Sequence, residues 1–343
     1  MRVDQIAIIA GKGKLLATLT DEQIATLNIT NFIFHVVHHG RNEPEYFEEV
    51  PLGRFESFFI ARIKDTLRGN RFSFVPGSPV KLAIEAWQAG TTSFVDFSKS
   101  LADQFNALYD RRVTPGVLIV IELVSGDSKY YSLIKYDSDE VVSYTRSGGQ
   151  AVLEEVVNNF TQSAKALQKS ALVDLQADPV DGQVAVIDRQ SRASISELFR
   201  KFLGVTRTKR PAELTEALQK AVIKVVVKHR DLLPASFTYR VGELVRDIAE
   251  HQKTFDAHTF YGQLFGTSGN DRIKASFERE LIAQGLSGEV FDYVPDALPP
   301  ERRVRYKTHE GVLITVPAGL GDHFHVSEDG KVITITTAQL SEI

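Results

Sequence analysis

Two neighbouring apolar runs constrain the fold of this chain more than any other feature. Val117–Leu123 and Tyr130–Tyr136 are each long enough for a strand, and Ser125-Gly126-Asp127-Ser128 joins them. A short polar link that contains Asp and Gly, placed between two such runs, is typical of a β-hairpin turn. The pair therefore predicts an antiparallel sheet in the N-terminal half of the chain.

Upstream of Ser194, strand-like runs are mixed with segments of helical spacing. The further predicted strands are Val3–Ala10, Asn31–His38, Val141–Thr145, Leu172–Leu175 and Gln183–Ile187. The predicted helices are Gly53–Arg68, Val80–Tyr109 with an interruption near Gly90, and Val152–Lys169. This alternation indicates an N-terminal domain in which helices pack on a sheet.

Downstream, helices dominate and strands return only near the end. Ser194 and Glu197 have capping-box spacing, so a helix is expected from Ser194 to Gly204, and Pro211 suits the first position of the next. The remaining predicted helices are Pro211–Lys228, Arg240–His251, Asp256–Phe265 and Asp271–Gln284. The predicted closing strands are Glu289–Val294, Arg303–Thr308, Val312–Val316, His323–Val326 and Val332–Thr336.

These patterns predict an α+β protein with two domains, as a length of 343 residues also favours. Residues 1–190 are expected to form the mixed sheet-and-helix domain. Residues 191–343 are expected to form a helical block with a C-terminal antiparallel β-meander, and this second domain contains the positively charged segment described next. The sequence contains no cysteine, which excludes disulfides and thiolate zinc sites, and no apolar run approaches the ~20 residues of a membrane span. A cytoplasmic location is therefore expected.

Positive charge is concentrated between Arg189 and Arg230. That segment has eleven Lys or Arg against three Glu, a net charge of +8 in a chain whose total is −4. A basic segment on an acidic protein is a candidate phosphate-binding surface, because contacts with phosphates release counterions and need no particular base sequence. The alternative is an ordinary solvated helix with a basic loop.

The spacing of these cations favours contact with a duplex backbone. On the predicted helix Pro211–Lys228, Lys220, Lys224 and Lys228 recur every fourth residue, opposite the apolar stripe. The loop before this helix carries no acidic residue and could hold a phosphate at the helix N-terminus. The candidate DNA-binding residues are Arg200, Lys201, Arg207, Lys209, Arg210, Lys220, Lys224, Lys228 and Arg230.

Other polar clusters do not converge on a catalytic or metal site. His35, His38 and His39 cannot share one face of a strand, and His323 with His325 has no carboxylate partner at a diagnostic spacing. A second set of residues resembles the core of a Mg²⁺-dependent nuclease but lacks its lysine. That set is Asp178, Asp181, Asp188 and Gln190. No cofactor is indicated.

Several segments resemble the 37 kDa nucleoid-associated proteins of bacteria. Residues 195–204, ISELFRKFLG, and the helix through Leu218-Gln219-Lys220-Ala221-Val222 carry most of the likeness. The other similar segments are Asp4–Ala7, Leu118–Leu133, Gly311–Thr315 and Lys331–Ile335. The resemblance implies a cytoplasmic, nucleoid-associated, non-enzymatic protein that binds double-stranded DNA as a homo-oligomer such as a dimer.

Two other functions remain open at this point. An acidic N-terminal region could dock a basic protein partner, which would make the chain an interaction scaffold, for example in a phage-defence or mobile-element setting. The acidic residues are Glu43, Glu45, Glu48 and Glu49. The nuclease is the third possibility, and it predicts cleavage of DNA that depends on Asp188.

Overall fold

The computed structural model describes residues 19, 21–39, 42–108, 115–137, 167–299, 303–317, 323–327 and 329–337. Its contacts divide the chain into two compact units. Unit 1 contains Met1–Lys209 and Gly288–Val290, and unit 2 contains Arg210–Ser287 and Phe291–Ile343. The division between 190 and 191 stays a prediction about independent domains. The predicted strands Val3–Ala10 and Val141–Thr145 lie outside the described residues.

An eight-stranded sheet forms the centre of unit 1, and every pairing in it is antiparallel. Its order is β2-β1-β4-β5-β6-β7-β3-β8. The strands are β1 Asn28–Val37, β2 Glu45–Tyr46, β3 Asn70–Phe74, β4 Gly116–Ser125, β5 Ser128–Asp137, β6 Leu167–Val173, β7 Val184–Asp188 and β8 Val205–Arg207. The predicted hairpin is confirmed as β4–β5, and Ser125 pairs with Ser128 across its turn. The α+β class is confirmed.

Helices cover both faces of this sheet. They are α1 Asp21–Ala25, α2 Glu56–Thr66, α3 Pro79–Gln88, α4 Phe94–Ala107 and α5 Glu197–Leu203. Phe59 and Ile63 of α2 join the core on one face, and Phe97 and Phe105 of α4 join the core on the other. Burial of two apolar cores on one sheet explains why β4 and β5 are apolar on both faces.

The start of α5 differs from the prediction. The residue before the helix is Ser196 rather than Ser194, and its hydroxyl makes no capping bond. Instead the Ser196 amide donates to Asp188 Oδ2 at 2.9 Å, which fixes the backbone that enters the helix. The predicted end is confirmed: Gly204 has a φ of 62°, in the left-handed region where glycine is unstrained.

Unit 2 is built around four helices: α6 Pro211–Lys228, α7 Ala235–His251, α8 Ala257–Phe265 and α9 Asp271–Ala283. α6 buries the predicted stripe, including Leu214, Leu218 and Val225, against aromatic residues such as Phe260 and Phe277. Pro211 stands in the first turn of α6, as predicted. Burial of this apolar face is what stabilises the helix, since propensity alone rarely does.

The strands of unit 2 are short and pair as hairpins. They are β9 Thr254–Phe255, β10 Phe291–Asp292, β11 Arg303–Lys307, β12 Leu313–Pro317, β13 Phe324–Val326 and β14 Ile333–Ile335. β9 pairs with β10, β11 with β12, and β13 with β14. The predicted strand Glu289–Val294 was too long, because Gly288–Val290 makes its contacts within unit 1.

Two predicted helices also need correction. Leu167–Lys169, the end of the predicted helix Val152–Lys169, is strand β6, where Lys169 pairs with both Lys135 and Asp188. Ladder hydrogen bonds to two neighbours outweigh a helical spacing of apolar residues. The rest of that segment up to residue 166 lies outside the described residues. α7 begins at Ala235 instead of Arg240, directly after Pro234, which occupies the N-cap position.

Candidate nucleic-acid interface

The outer face of α6 carries the clearest row of exposed cations. The side chains of Lys220 and Lys224 are 67% and 58% exposed, and Lys228 is exposed one turn further on. Lys220 Nζ lies 4.0 Å from Glu216 Oε2, and Lys224 Nζ lies 3.7 Å from Glu280 Oε2 on α9. Ion pairs this long and this exposed are weak, so phosphates can compete for both lysines.

The two cations of α5 share a single carboxylate. Arg200 makes a bidentate pair with Glu197, with Nη2 to Oε2 at 2.8 Å, and Lys201 Nζ lies 3.4 Å from Glu197 Oε1. Hydrogen bonding to Arg200 lowers the pKa of Glu197, and Lys201 adds to the effect. The three side chains are about half exposed, and together they keep one net positive charge.

Arg207 is the candidate whose surroundings differ most from the expectation. Its side chain is 13% exposed, and Nη2 lies 2.5 Å from Glu289 Oε2. Nη1 donates to the Ala193 carbonyl at 2.6 Å, and Nη2 also donates to the Val290 carbonyl at 2.9 Å. These acceptors hold the guanidinium inside unit 1. We therefore take Arg207 out of the proposed interface and treat it as a structural ion pair.

The carboxylate of Glu289 is shared with Arg71. Glu289 Oε1 accepts the Arg71 backbone N–H at 2.8 Å, while the Arg71 guanidinium donates to the carbonyls of Gly69 and Leu67. Burial lowers the pKa of Arg71 to about 10, and the charge of Glu289 partly opposes this shift. Sequence reasoning missed Glu289, because 82 residues separate it from Arg207 and no local pattern marks it.

The nine candidate DNA-binding residues are divided between the two units. Arg200, Lys201, Arg207 and Lys209 belong to unit 1, and the other five belong to unit 2. Arg210 is 81% exposed, and its Nη2 lies 3.3 Å from Glu213 Oε1. Within the described part of the chain, Lys228 and Arg230 are exposed cations with no carboxylate within ion-pair distance. Among the described residues, at least six of the nine candidates are paired with a carboxylate.

Three residues of the nuclease alternative, Asp178, Asp188 and Gln190, have structural partners. Asp188 is buried, and Lys169 Nζ lies 3.2 Å from its Oδ1. The same Asp188 carboxylate accepts the Gln190 and Ser196 amides, and Lys169 also donates to Gln190 Oε1 at 2.7 Å. The oxygens of Asp178 and Asp174 accept amides within the turn that precedes β7. The arrangement stabilises the end of β7 and the start of α5.

The histidine and glutamate clusters are also engaged locally. His35 bonds to Ser98 and Phe47, and His38 Nε2 lies 3.3 Å from Glu45. Across the described ranges, no three His, Asp or Glu side chains are arranged to hold a metal ion. Of the acidic region, Glu48 lies 3.7 Å from Lys99 and Glu49 accepts from Asn31.

The fold and the cations define the class: a two-unit α+β protein with an exposed lysine row on one helix. No helix among the described residues has the length and apolar character needed to cross a membrane. The family model for nucleoid-associated protein YejK matches residues 33–331, and the chain belongs to this family. The resemblance inferred from the sequence is thereby confirmed. A comparison with curated proteins finds no match.

Proposed function

We propose that this protein is a non-enzymatic nucleoid protein that binds double-stranded DNA by contacts with the backbone. The observation that carries the proposal is the row of Lys220, Lys224 and Lys228 on the outer face of α6, in a member of the nucleoid-associated family. Side chains four residues apart stand one above another on a helix, so the row can follow successive phosphates. Its location would be the nucleoid of the cytoplasm.

Contacts of this kind give affinity without base readout. Each lysine that neutralises a phosphate releases counterions, and the logarithm of the binding constant then falls with the logarithm of salt concentration by about 0.9 per contact. The proposal also includes other candidate cations as contacts with DNA phosphates. These are Arg200, Lys201 and Lys209 of unit 1, and Arg210 and Arg230 of unit 2. Assembly into a homo-oligomer stays a prediction.

The absence of catalysis is supported by the surroundings of Asp188. A nuclease needs carboxylate oxygens that are open to Mg²⁺ and a lysine near the attacking water. Here the Asp188 carboxylate is paired with Lys169 and accepts two backbone amides. The side chains of Asp188 and Lys169 are both fully buried. We expect no cleavage product when a duplex is incubated with the protein and Mg²⁺, and a product that disappears on Asp188→Asn would contradict the proposal.

The test is fluorescence anisotropy of a labelled random-sequence duplex across a series of salt concentrations. We expect saturable binding, and we expect Lys220→Ala/Lys224→Ala to weaken it on every sequence and to lower the salt slope by about two units. The matched control is Lys64→Ala/Lys81→Ala, which removes two lysines from helices of unit 1 and should leave the slope unchanged.

Two outcomes count against the proposal. If the wild-type protein shows no saturable binding, DNA is not its partner, and the scaffold with a basic protein partner on Glu43, Glu45, Glu48 and Glu49 becomes the better hypothesis. If the duplex binds but the α6 and control variants lose affinity equally, the lysine row is not the interface.

A further inference from the structure

His229, the residue directly after α6, is buried without a partner for its ring. It is 2% exposed, and neither Nδ1 nor Nε2 has a hydrogen bond among the described residues. Ser276 of α9 is 1% exposed, and its hydroxyl also has no hydrogen bond there. Buried polar groups are nearly always paired in folded proteins, so orphaned ones suggest a ligand or a function.

Three exposed cations are near enough to this histidine to act on it electrostatically. Lys228 precedes it on the chain, while Arg272 and Arg279 come from α9, which packs along α6. Arg272 and Arg279 are seven residues apart, two helical turns, and Ser276 lies between them on the same face. None of the three cations has a carboxylate within ion-pair distance in the described part of the chain, whereas Lys224 beside them is paired with Glu280.

Like charges that converge repel one another. Asp231 offsets part of their charge at His229, and an anion placed among the cations relieves the rest of the repulsion. Arginine is the side chain best suited to hold phosphate, because its planar fork offers two donors to two oxygens. His229 at the end of α6 and Ser276 on α9 are buried polar side chains of the two helices that carry these cations. The site therefore has the charge and the donors that a singly charged phosphodiester requires.

We propose that Lys228, Arg272 and Arg279 form a phosphate subsite over His229, and that a phosphate of the DNA backbone is its ligand. The proposal rests on the function proposed above and extends the interface from α6 to α9. It assigns a role to two arginines outside the basic segment of the sequence. Free inorganic phosphate has the same chemistry, so the test must distinguish the two sources.

The subsite would link DNA binding to the protonation of His229. Burial lowers the pKa of His229, and the charges of Arg272, Lys228 and Arg279 lower it further, while Asp231 opposes them. A bound phosphate adds negative charge near the ring and reduces the effect of the three cations. The pKa of His229 should then rise on binding, and the duplex should bind more tightly as the pH falls.

The experiment follows histidine resonances of the whole protein by NMR during pH titrations, with the His229 signal assigned by comparison with His229→Gln. Titrations are run alone, with inorganic phosphate, and with a random-sequence duplex. We expect the duplex to raise the His229 midpoint by about half a pH unit or more. Arg272→Ala/Arg279→Ala should abolish this rise and weaken duplex binding at least about threefold.

The matched control is Arg68→Ala/Arg192→Ala, which removes two exposed arginines of unit 1 and should leave both the rise and the affinity unchanged. Circular dichroism establishes that each variant is folded. Duplex binding that depends on Lys220 and Lys224 but not on Arg272 and Arg279 overturns the subsite and leaves the proposed function standing. If inorganic phosphate raises the His229 midpoint and the duplex does not, DNA is not the ligand. If the wild-type protein binds no duplex, both proposals are refuted.

Discussion

At the scale of single residues, His35 shows how neighbours decide a protonation state that the sequence leaves open. The Phe47 amide donates to Nδ1 at 3.2 Å, so that nitrogen carries no proton. Nε2 then holds the ring proton and donates to Ser98 Oγ at 2.9 Å, while Ser98 donates to the Val95 carbonyl. The ring is a neutral, fully satisfied part of the core.

This state makes the stability of unit 1 depend on pH. Burial, helped by Lys99, lowers the pKa of His35 to about 4. The unfolded chain binds a proton near pH 6.5 and the folded chain does not, so stability is complete above pH 6.5 and is lost as the pH falls towards 4. From pH 7 to pH 5 the loss is about 2 kcal/mol.

Urea unfolding at the two pH values, followed by fluorescence of Trp87, measures this loss. Trp87 is the single tryptophan and lies on α3, so its signal reports unit 1. His35→Gln should reduce the pH dependence by about 2 kcal/mol, and His258→Gln, an exposed histidine of unit 2, should not. If the wild type, His35→Gln and His258→Gln all lose the same unfolding free energy between pH 7 and pH 5, His35 does not titrate in this way.

The second prediction at this scale concerns the ion pair of Arg207 with Glu289. Removing one partner of a buried pair leaves the other charge uncompensated, which typically costs 3–5 kcal/mol, so Arg207→Ala should destabilise unit 1 by about that amount. Arg200→Ala breaks an exposed pair and should change the urea midpoint little. Arg207→Ala/Glu289→Gln should recover part of the loss. If Arg207→Ala and Arg200→Ala have equal effects, Arg207 is not structural.

At the scale of elements, the strands and helices that the sequence predicted correctly are those whose apolar residues follow a clear local pattern. β4 and β5 follow from apolar runs around a Gly-containing turn, and α6 follows from its stripe and from Pro211. The errors occur where a distant partner decides the backbone. β6 starts at Leu167 because two strands pair with it, and α5 starts at Glu197 because Asp188 binds the Ser196 amide.

The same distinction applies to the candidate site. The exposure of Lys220 and Lys224 could be predicted, because helical spacing places them opposite the buried stripe. The burial of Arg207 could not, since its partner Glu289 follows 82 residues later. Nor could the grouping of Arg272 and Arg279 with His229, which depends on how α9 packs on α6. Local period predicts which face is exposed, and only the fold shows which charges meet.

The junction between α5 and β8 gives a prediction for an element boundary. Gly204 has a φ of 62°, and a Cβ there would lie 2.8 Å from Ser78 Oγ. Ser78 also caps α3 through the Lys81 amide, so it cannot easily move. Gly90 has a φ of 70° with open space around its Cβ position, so Gly90→Ala is subject to backbone strain alone. Gly204→Ala should cost at least about 1 kcal/mol more than Gly90→Ala, measured by urea unfolding. Similar costs for the two would mean that Ser78 relaxes.

At the scale of the whole molecule, the net charge of −4 conceals an uneven distribution. Much of the basic segment is neutralised, because Glu197, Glu213, Glu216, Glu280 and Glu289 each pair with cations of the candidate set. By our proposals, a polyanion contacts mainly the exposed cations of α6 and α9, together with Arg200, Lys201 and Lys209 of unit 1. A short binding surface on an acidic protein implies modest affinity with a salt slope of a few units.

The chain path makes unit 1 depend on residues that come from far along the sequence. Gly288–Val290 belongs to unit 1, where Glu289 binds Arg207 and the Arg71 amide, and the Val290 amide donates to Asn70 Oδ1 at 2.7 Å.

A fragment that ends at Lys209 lacks these contacts and leaves buried donors unpaired. Its Trp87 transition should occur at a lower urea concentration than in the whole chain. A fragment that ends at Pro299 keeps the segment and omits the hairpins β11–β12 and β13–β14, so it should keep the midpoint of the whole chain. If both fragments unfold where the whole chain does, Glu289 adds no stability to unit 1, and the structural role given to Arg207 is refuted with it.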